Sequence, residues 1–101
     1  MGVTYHRNQF VDDADATVNV RAKAFNYGLG CFGGVRGYWD EKQSELYVFR
    51  LADHVERLFE SAHILGLEPT VSREDLARLL CELLRRNDAR EDHYIRPLFF
   101  V

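Results

Sequence analysis

Lysine, proline, cysteine and long apolar runs are all scarce in this 101-residue chain. No stretch reaches the length of a membrane-spanning helix, and the N-terminus has no basic-then-apolar leader, so no membrane is expected and the cytoplasm is the default. The two cysteines, Cys31 and Cys81, are far apart and form no CxxC pair. They read as reduced, partly buried thiols, and no metal site is expected. The formal charge is only −3 and the isoelectric point is near 5.8, which argues against nucleic acid as the main partner, since such binders carry a basic face. Only two lysines stand against eleven arginines, a bias toward planar, bidentate anion recognition over diffuse basicity. The length suits one small domain with a single core.

What is present begins with glycine. Tyr27 to Trp39 holds five of the seven glycines, as expected where backbone approaches another body closely or a strand bends. Gly28, Gly30 and Gly33 match the GxGxxG spacing, but the preceding segment is polar and Gly34-Val35-Arg36-Gly37 cannot open a helix, so a dinucleotide fold is not expected. Thr4 to Val11 reads as one strand, Asp12 to Asp15 as a turn and Ala16 to Val20 as a second short strand. Residues 35–50 read as a β-hairpin around the charged turn Asp40 to Ser44. A helix from about Ala52 to Leu65 stops at Gly66. A second starts at Ser72, where Ser72-x-x-Asp75 resembles a capping box, and runs to about Arg86 with Leu76, Leu79, Leu80, Leu83 and Leu84 at helical spacing.

The last segment, Tyr94-Ile95-Arg96-Pro97-Leu98-Phe99-Phe100-Val101, reads as a buried strand with no turn signal after Pro97. Ending there would leave an unprotected apolar edge, and the expectation is one part of a larger protein. Strands, then two helices, then a closing strand point to an α+β layered domain.

The helix over 52–65 has three faces at about 100° per residue. Val55, Leu58, Phe59, Ala62 and Leu65 form the core arc, and Asp53, Glu56, Glu60 and His63 a solvated one. His54, Arg57, Ser61 and Ile64 form a third, combining a cation, a hydroxyl and an apolar residue. The guanidinium of Arg57 is well shaped to fork onto a phosphate. The alternative is a surface arginine pairing with Asp53 or Ser61.

In order and spacing, Asn26-Tyr27-Gly28, Phe32-x-Gly34-Val35-Arg36, Val48-Phe49-Arg50-Leu51-x-x-His54-x-x-Arg57-Leu58 and Tyr94-Ile95-Arg96-Pro97 resemble the class IV, fold type IV, pyridoxal-phosphate-dependent aminotransferases, most of all the branched-chain amino acid aminotransferases. The resemblance runs from about residue 5 to 101. It implies an α+β small domain, an antiparallel sheet packed with two helices, over residues 1–101, with a C-terminal large domain absent from this chain. It implies pyridoxal 5'-phosphate as cofactor, with Arg57 gripping its phosphate. Phe32 and Tyr94 match aromatic walls of the substrate pocket. Tyr27 matches a tyrosine that in some members comes from the neighbouring subunit. Arg36 and Arg96 match rim arginines, Arg96 serving the substrate carboxylates. The blander alternatives are core aromatics at Phe32 and Tyr94, and an Arg36 paired with an acid across the hairpin. One departure stands out, Gly33 in place of the family's usual glutamate.

The implied reaction moves an amino group between a branched-chain or similar hydrophobic amino acid and a 2-oxo acid such as 2-oxoglutarate, in a homodimer or higher oligomer. Such chemistry needs a lysine to hold the cofactor and shuttle the substrate α-proton. Lys23 lies in a polar segment and Lys42 in the hairpin turn, and neither suits that task, so no catalytic residue is assigned and the chain alone is expected to be inactive. D-amino acid aminotransferase and aminodeoxychorismate lyase share fold and cofactor and stand as alternatives within the enzyme class. A non-catalytic relic or interaction domain is the alternative outside it. The joint presence of Tyr27, Phe32, Arg57, Tyr94 and Arg96 favours the enzyme, and Tyr94-Ile95-Arg96-Pro97 the branched-chain type.

Overall fold

Two amphipathic helices supply most of the core in the computed structural model, which describes residues 2–101. Helix α2, Leu51–Ile64, buries Val55, Leu58 and Ala62, and α3, Arg73–Arg86, buries Leu76, Leu80 and Leu84. The i, i+4 spacing of the second set puts one leucine on each successive turn of the same face. Ser72 caps α3 by accepting a hydrogen bond from the Asp75 backbone N–H at 3.0 Å, while Gly66, at φ 76°, follows the end of α2. Leu65 leaves the core arc expected for it, because it sits past the last turn and is 44% exposed.

The hairpin expected over 35–50 forms from β4, Val35–Asp40, and β5, Glu45–Val48. Strand β4 also pairs antiparallel with β6, His93–Ile95, giving a sheet ordered β5-β4-β6. Val35 is fully buried and packs with Ile95 and the helix leucines.

Four further expectations need correction. Thr4 to Val11 is a hairpin, β1 Val3–His6 and β2 Gln9–Asp12, because Arg7 and Asn8 both take positive φ and reverse the chain. Ala16 to Val20 is no strand; it follows a 3₁₀ turn at Asp13–Asp15 and finds no ladder partner. A third, short helix, α1 at Lys23–Tyr27, precedes the glycine-rich segment and ends on left-handed Gly28. The closing run is two strands, since Pro97 has no N–H to continue the ladder. Strand β6 stays with β4, while β7, Leu98–Phe100, pairs with β3, Gly30–Phe32. The α+β arrangement is as expected, with its antiparallel strands divided among three small sheets.

Candidate active-site face

Strand alternation decides which side chains meet. Along β4, Val35 and Gly37 are buried while Arg36 and Tyr38 point outward. Arg36 lies opposite Tyr94 of β6 in the ladder. On its other flank the pairing of Gly37 with Val48 continues one step, the Phe49 N–H donating to the Arg36 carbonyl at 2.9 Å, so Phe49 is the neighbour of Arg36 there. Arg36 thus stands between two aromatic residues, across about 10 Å of sheet at the usual strand spacing. Beyond Tyr94, the Arg96 guanidinium lies 5.6 Å from the Tyr94 ring and 4.5 Å from that of Phe32. Phe49, Arg36, Tyr94, Arg96 and Phe32 therefore form a row that alternates ring and cation. Tyr38, next along β4, meets Phe49 edge to face at 6.3 Å.

Two adjacent glycines shape this face differently. A Cβ on Gly34 would lie 2.7 Å from the Tyr94 phenol oxygen, so the ring rests where only glycine leaves room. At Gly33 a Cβ would meet only Pro97, at 3.7 Å, and the Gly33 N–H donates to the Pro97 carbonyl. That bond ties the loop before β4 to the bend that carries Arg96.

The blander readings of these residues do not hold. Phe32 and Tyr94 are 58% and 48% exposed, so they are not core aromatics. Neither Arg36 nor Arg96 forms an ion pair among the described residues. The face offers the Arg96 guanidinium against two rings and Arg36 as a second outward-facing cation, a surface suited to a carboxylate on an apolar body.

Arg57 lies on the exposed side of α2. Asp53, its possible surface partner, is instead held by Arg50, with contacts of 2.6 and 2.7 Å. Ser61 makes no side-chain bond to Arg57 among the described residues, leaving its guanidinium without a protein partner, as a phosphate ligand would need. Tyr27 ends α1 and is 81% exposed. Neither Arg57 nor Tyr27 makes a hydrogen bond, ion pair or ring contact with the row of five among the described residues, while the β4–β6 ladder and the contacts of Arg96 with two rings bring Phe32, Arg36, Tyr94 and Arg96 onto one face. Lys23 opens α1 and Lys42 lies in the β4–β5 turn, both exposed, so no lysine among the described residues is buried. Cys31 faces away from the row, packed beside the core with its ladder neighbour Phe99, and burial pushes its thiol pKa up. Phe49 escapes the sequence reading because its place beside Arg36 depends on hairpin register, and Tyr38, two residues along the same strand, because no motif marks it.

A family model for amino-transferase class IV matches residues 30–101. The chain belongs to that family. Over 99% of its length it is 34% identical to the probable branched-chain-amino-acid aminotransferase of Aquifex aeolicus, of which it covers 32%. Among solved structures, the branched-chain aminotransferase of Thermoproteus uzoniensis with norvaline is 44% identical, with a TM-score of 0.88 over 93% of this chain and 31% of its own. Another solved branched-chain amino acid aminotransferase, from the source abbreviated T.th. and complexed with N-(5'-phosphopyridoxyl)-L-glutamate, is 34% identical with a TM-score of 0.91, over 98% of this chain and 32% of its own. This class IV chain thus spans about a third of the length of the relatives it matches, and shares their fold over that third.

Proposed function

We propose that residues 1–101 are the N-terminal small domain of a cytoplasmic, pyridoxal-phosphate-dependent aminotransferase. It exchanges an amino group between a branched-chain or similar hydrophobic amino acid and a 2-oxo acid such as 2-oxoglutarate. The observation that carries this is the row in which Arg36 and Arg96 alternate with Tyr94 and Phe32 on one exposed face. Relatives bound to norvaline and to a phosphopyridoxyl glutamate support a site that takes both an apolar and an acidic side chain.

In this reading the cofactor, when bound, supplies the electron sink that makes the substrate α-proton labile. Arg57 holds its phosphate by charge-assisted hydrogen bonds. Arg96 and Arg36 hold the substrate's carboxylates, and the Phe32 and Tyr94 rings steady the Arg96 guanidinium. Phe32 and Tyr94 exclude water and contact the apolar side chain. Tyr27 reaches the pocket of a neighbouring subunit in a homodimer, which fits its exposure. The amine that moves the α-proton comes from a large domain outside these residues, a division supported by the one-third coverage of the relatives.

The complete enzyme provides the test. It should bind pyridoxal phosphate, seen as visible absorbance, and convert leucine and 2-oxoglutarate to their transaminated products. Arg96→Ala should raise the KM for 2-oxoglutarate at least tenfold. A cofactor-loaded enzyme that transaminates no hydrophobic amino acid would overturn the reading.

A further inference from the structure

Strand β6 carries Tyr94 on a narrow footing. It has three residues, pairs only with β4, and leaves its other edge without a strand partner among the described residues. Burial of Ile95 beside Val35 decides which way its side chains point, so Tyr94 faces outward opposite Arg36. Three rungs do not by themselves hold a strand end against fraying. The ladder stops at Gly37 and His93, and its next rung would join the Trp39 N–H to the Glu91 carbonyl. Side chains take up both groups instead. The Asp92 carboxylate reaches across and accepts from the Trp39 N–H at 2.8 Å. The Glu91 carbonyl faces His93 Nδ1 at 2.9 Å; a carbonyl only accepts, so that nitrogen carries the proton and donates.

We infer that Asp92 is a positioning residue for the substrate site and works through Tyr94. By fastening the start of β6 to β4 it steadies the Tyr94 ring two residues on. Arg96 follows, its guanidinium 5.6 Å from that ring, so the clip governs the end of the row that meets the substrate's carboxylates. The inference rests on the aminotransferase reading. Asp92 makes no hydrogen bond or ion pair with Arg96 among the described residues, so its effect passes along the strand and not by direct charge. What the clip needs from Asp92 is an acceptor oxygen, which an amide supplies as well as a carboxylate. The bond lies at the surface, where water competes for both groups, and that keeps the effect to severalfold.

The experiment uses the complete, cofactor-loaded enzyme carrying Asp92→Ala, Asp92→Asn, Tyr94→Ala, or Asp92→Ala together with Tyr94→Ala. Asp92→Ala should raise the KM for 2-oxoglutarate about three- to fivefold, the worth of one hydrogen bond, with kcat and cofactor affinity within about twofold. Amide hydrogen exchange at Trp39 should quicken alongside. Asp92→Asn should stay near wild type in both measurements. On the Tyr94→Ala background Asp92→Ala should add nothing to the KM, because the ring it positions is gone. An unchanged KM in Asp92→Ala overturns the inference, as does an equal rise in Asp92→Asn. A rise that persists on the Tyr94→Ala background overturns it too, since Asp92 would then act elsewhere in the fold. Joint losses of kcat, cofactor affinity and melting temperature make Asp92 a general structural residue and also overturn it. Any of these failures in an active enzyme leaves the aminotransferase reading standing. An enzyme that binds cofactor but transaminates no hydrophobic amino acid defeats that reading, and this inference with it.

Discussion

The side-chain amide of Asn87 exchanges two hydrogen bonds with the backbone of Val3, accepting from its N–H at 2.8 Å and donating to its carbonyl at 2.9 Å. One amide thus does for β1 what a strand neighbour would do, and it does so from the C-terminal end of α3. The Arg86 guanidinium adds a second attachment, 4.1 Å over the Phe10 ring of β2. Together they hold the β1–β2 hairpin on the helix, although its two strands pair with no other strand. Asn87→Ala should cost about 1–3 kcal/mol, two partly buried hydrogen bonds at their usual net worth. Asn87→Asp should cost at least as much, since a carboxylate would face the carbonyl oxygens of Val3 and Leu83, to both of which the amide now donates, at the C-terminal end of α3. Denaturant melts measure both, and hydrogen exchange at Thr4 to Val11 should rise in each before global unfolding.

Leu58 is 2% exposed and sits with Val35 and Ile95 where α2 meets the sheet. Leu58→Ala should destabilise the domain by about 2–5 kcal/mol through lost burial and the cavity left behind. Chemical denaturation with an unchanged m-value would check it. A loss under about 1 kcal/mol would mean that the helix slides in to fill the space.

The paired glycines make opposite predictions. Gly33→Ala has open space and no left-handed backbone to strain, so stability should stay within about 0.5 kcal/mol of wild type. Gly34→Ala puts a methyl 2.7 Å from the Tyr94 oxygen. Tyr94 is half-exposed and can swing outward, so the melting point should change little while Arg96 loses one of its two stacking rings. Substrate KM in the complete enzyme should rise several-fold for Gly34→Ala alone. Equal kinetics in the two variants would show that Tyr94 holds no substrate.

The legible parts of this fold are those written in a local signal. Helix α3 announces itself through Leu76, Leu80 and Leu84 and through the Ser72 cap, and the 35–50 hairpin through alternation around a charged turn. The β1–β2 turn is hidden because it places Arg7 and Asn8, rather than the usual glycine, at positive φ. The final run looks like one strand because apolarity masks the single effect of Pro97, a missing donor that hands the chain from β4 to β3. The candidate site divides the same way. Phe32, Arg36, Tyr94 and Arg96 stand in the motifs that carry the family resemblance, whereas the place of Phe49 beside Arg36 needs the exact cross-strand register, and Tyr38 is marked by no motif.

Cys31 offers a pH-dependent test. Burial disfavours its thiolate, so its folded pKa stands above the unfolded one. The sign follows from linkage. The stability this group contributes is fully present below the ordinary thiol pKa, roughly 8.5, and is lost as pH rises through the higher folded value. Alkylation of Cys31 by iodoacetamide at mildly alkaline pH should be slower in the native protein than in urea, with peptide mapping as the readout. Equal rates would place the thiol in water.

Arg57 decides whether the phosphate of the cofactor is held from this domain. Its guanidinium has no partner among the described residues, and Asp53 is already engaged by Arg50. In the complete enzyme, Arg57→Ala should weaken pyridoxal-phosphate binding by about 1.5–3 kcal/mol, the range for hydrogen bonds to a charged group. Arg57→Lys should recover only part of this, because a point charge replaces a planar fork. Stability without cofactor should barely move, since the residue lies off the Val55, Leu58, Ala62 face and its removal opens no cavity. Cofactor affinity and an apo melting curve, measured side by side, separate the outcomes. Unchanged affinity with a collapsed apo melting point would make Arg57 a structural residue. Two unchanged values would leave it a solvated arginine, and the phosphate would have to be held by groups outside α2.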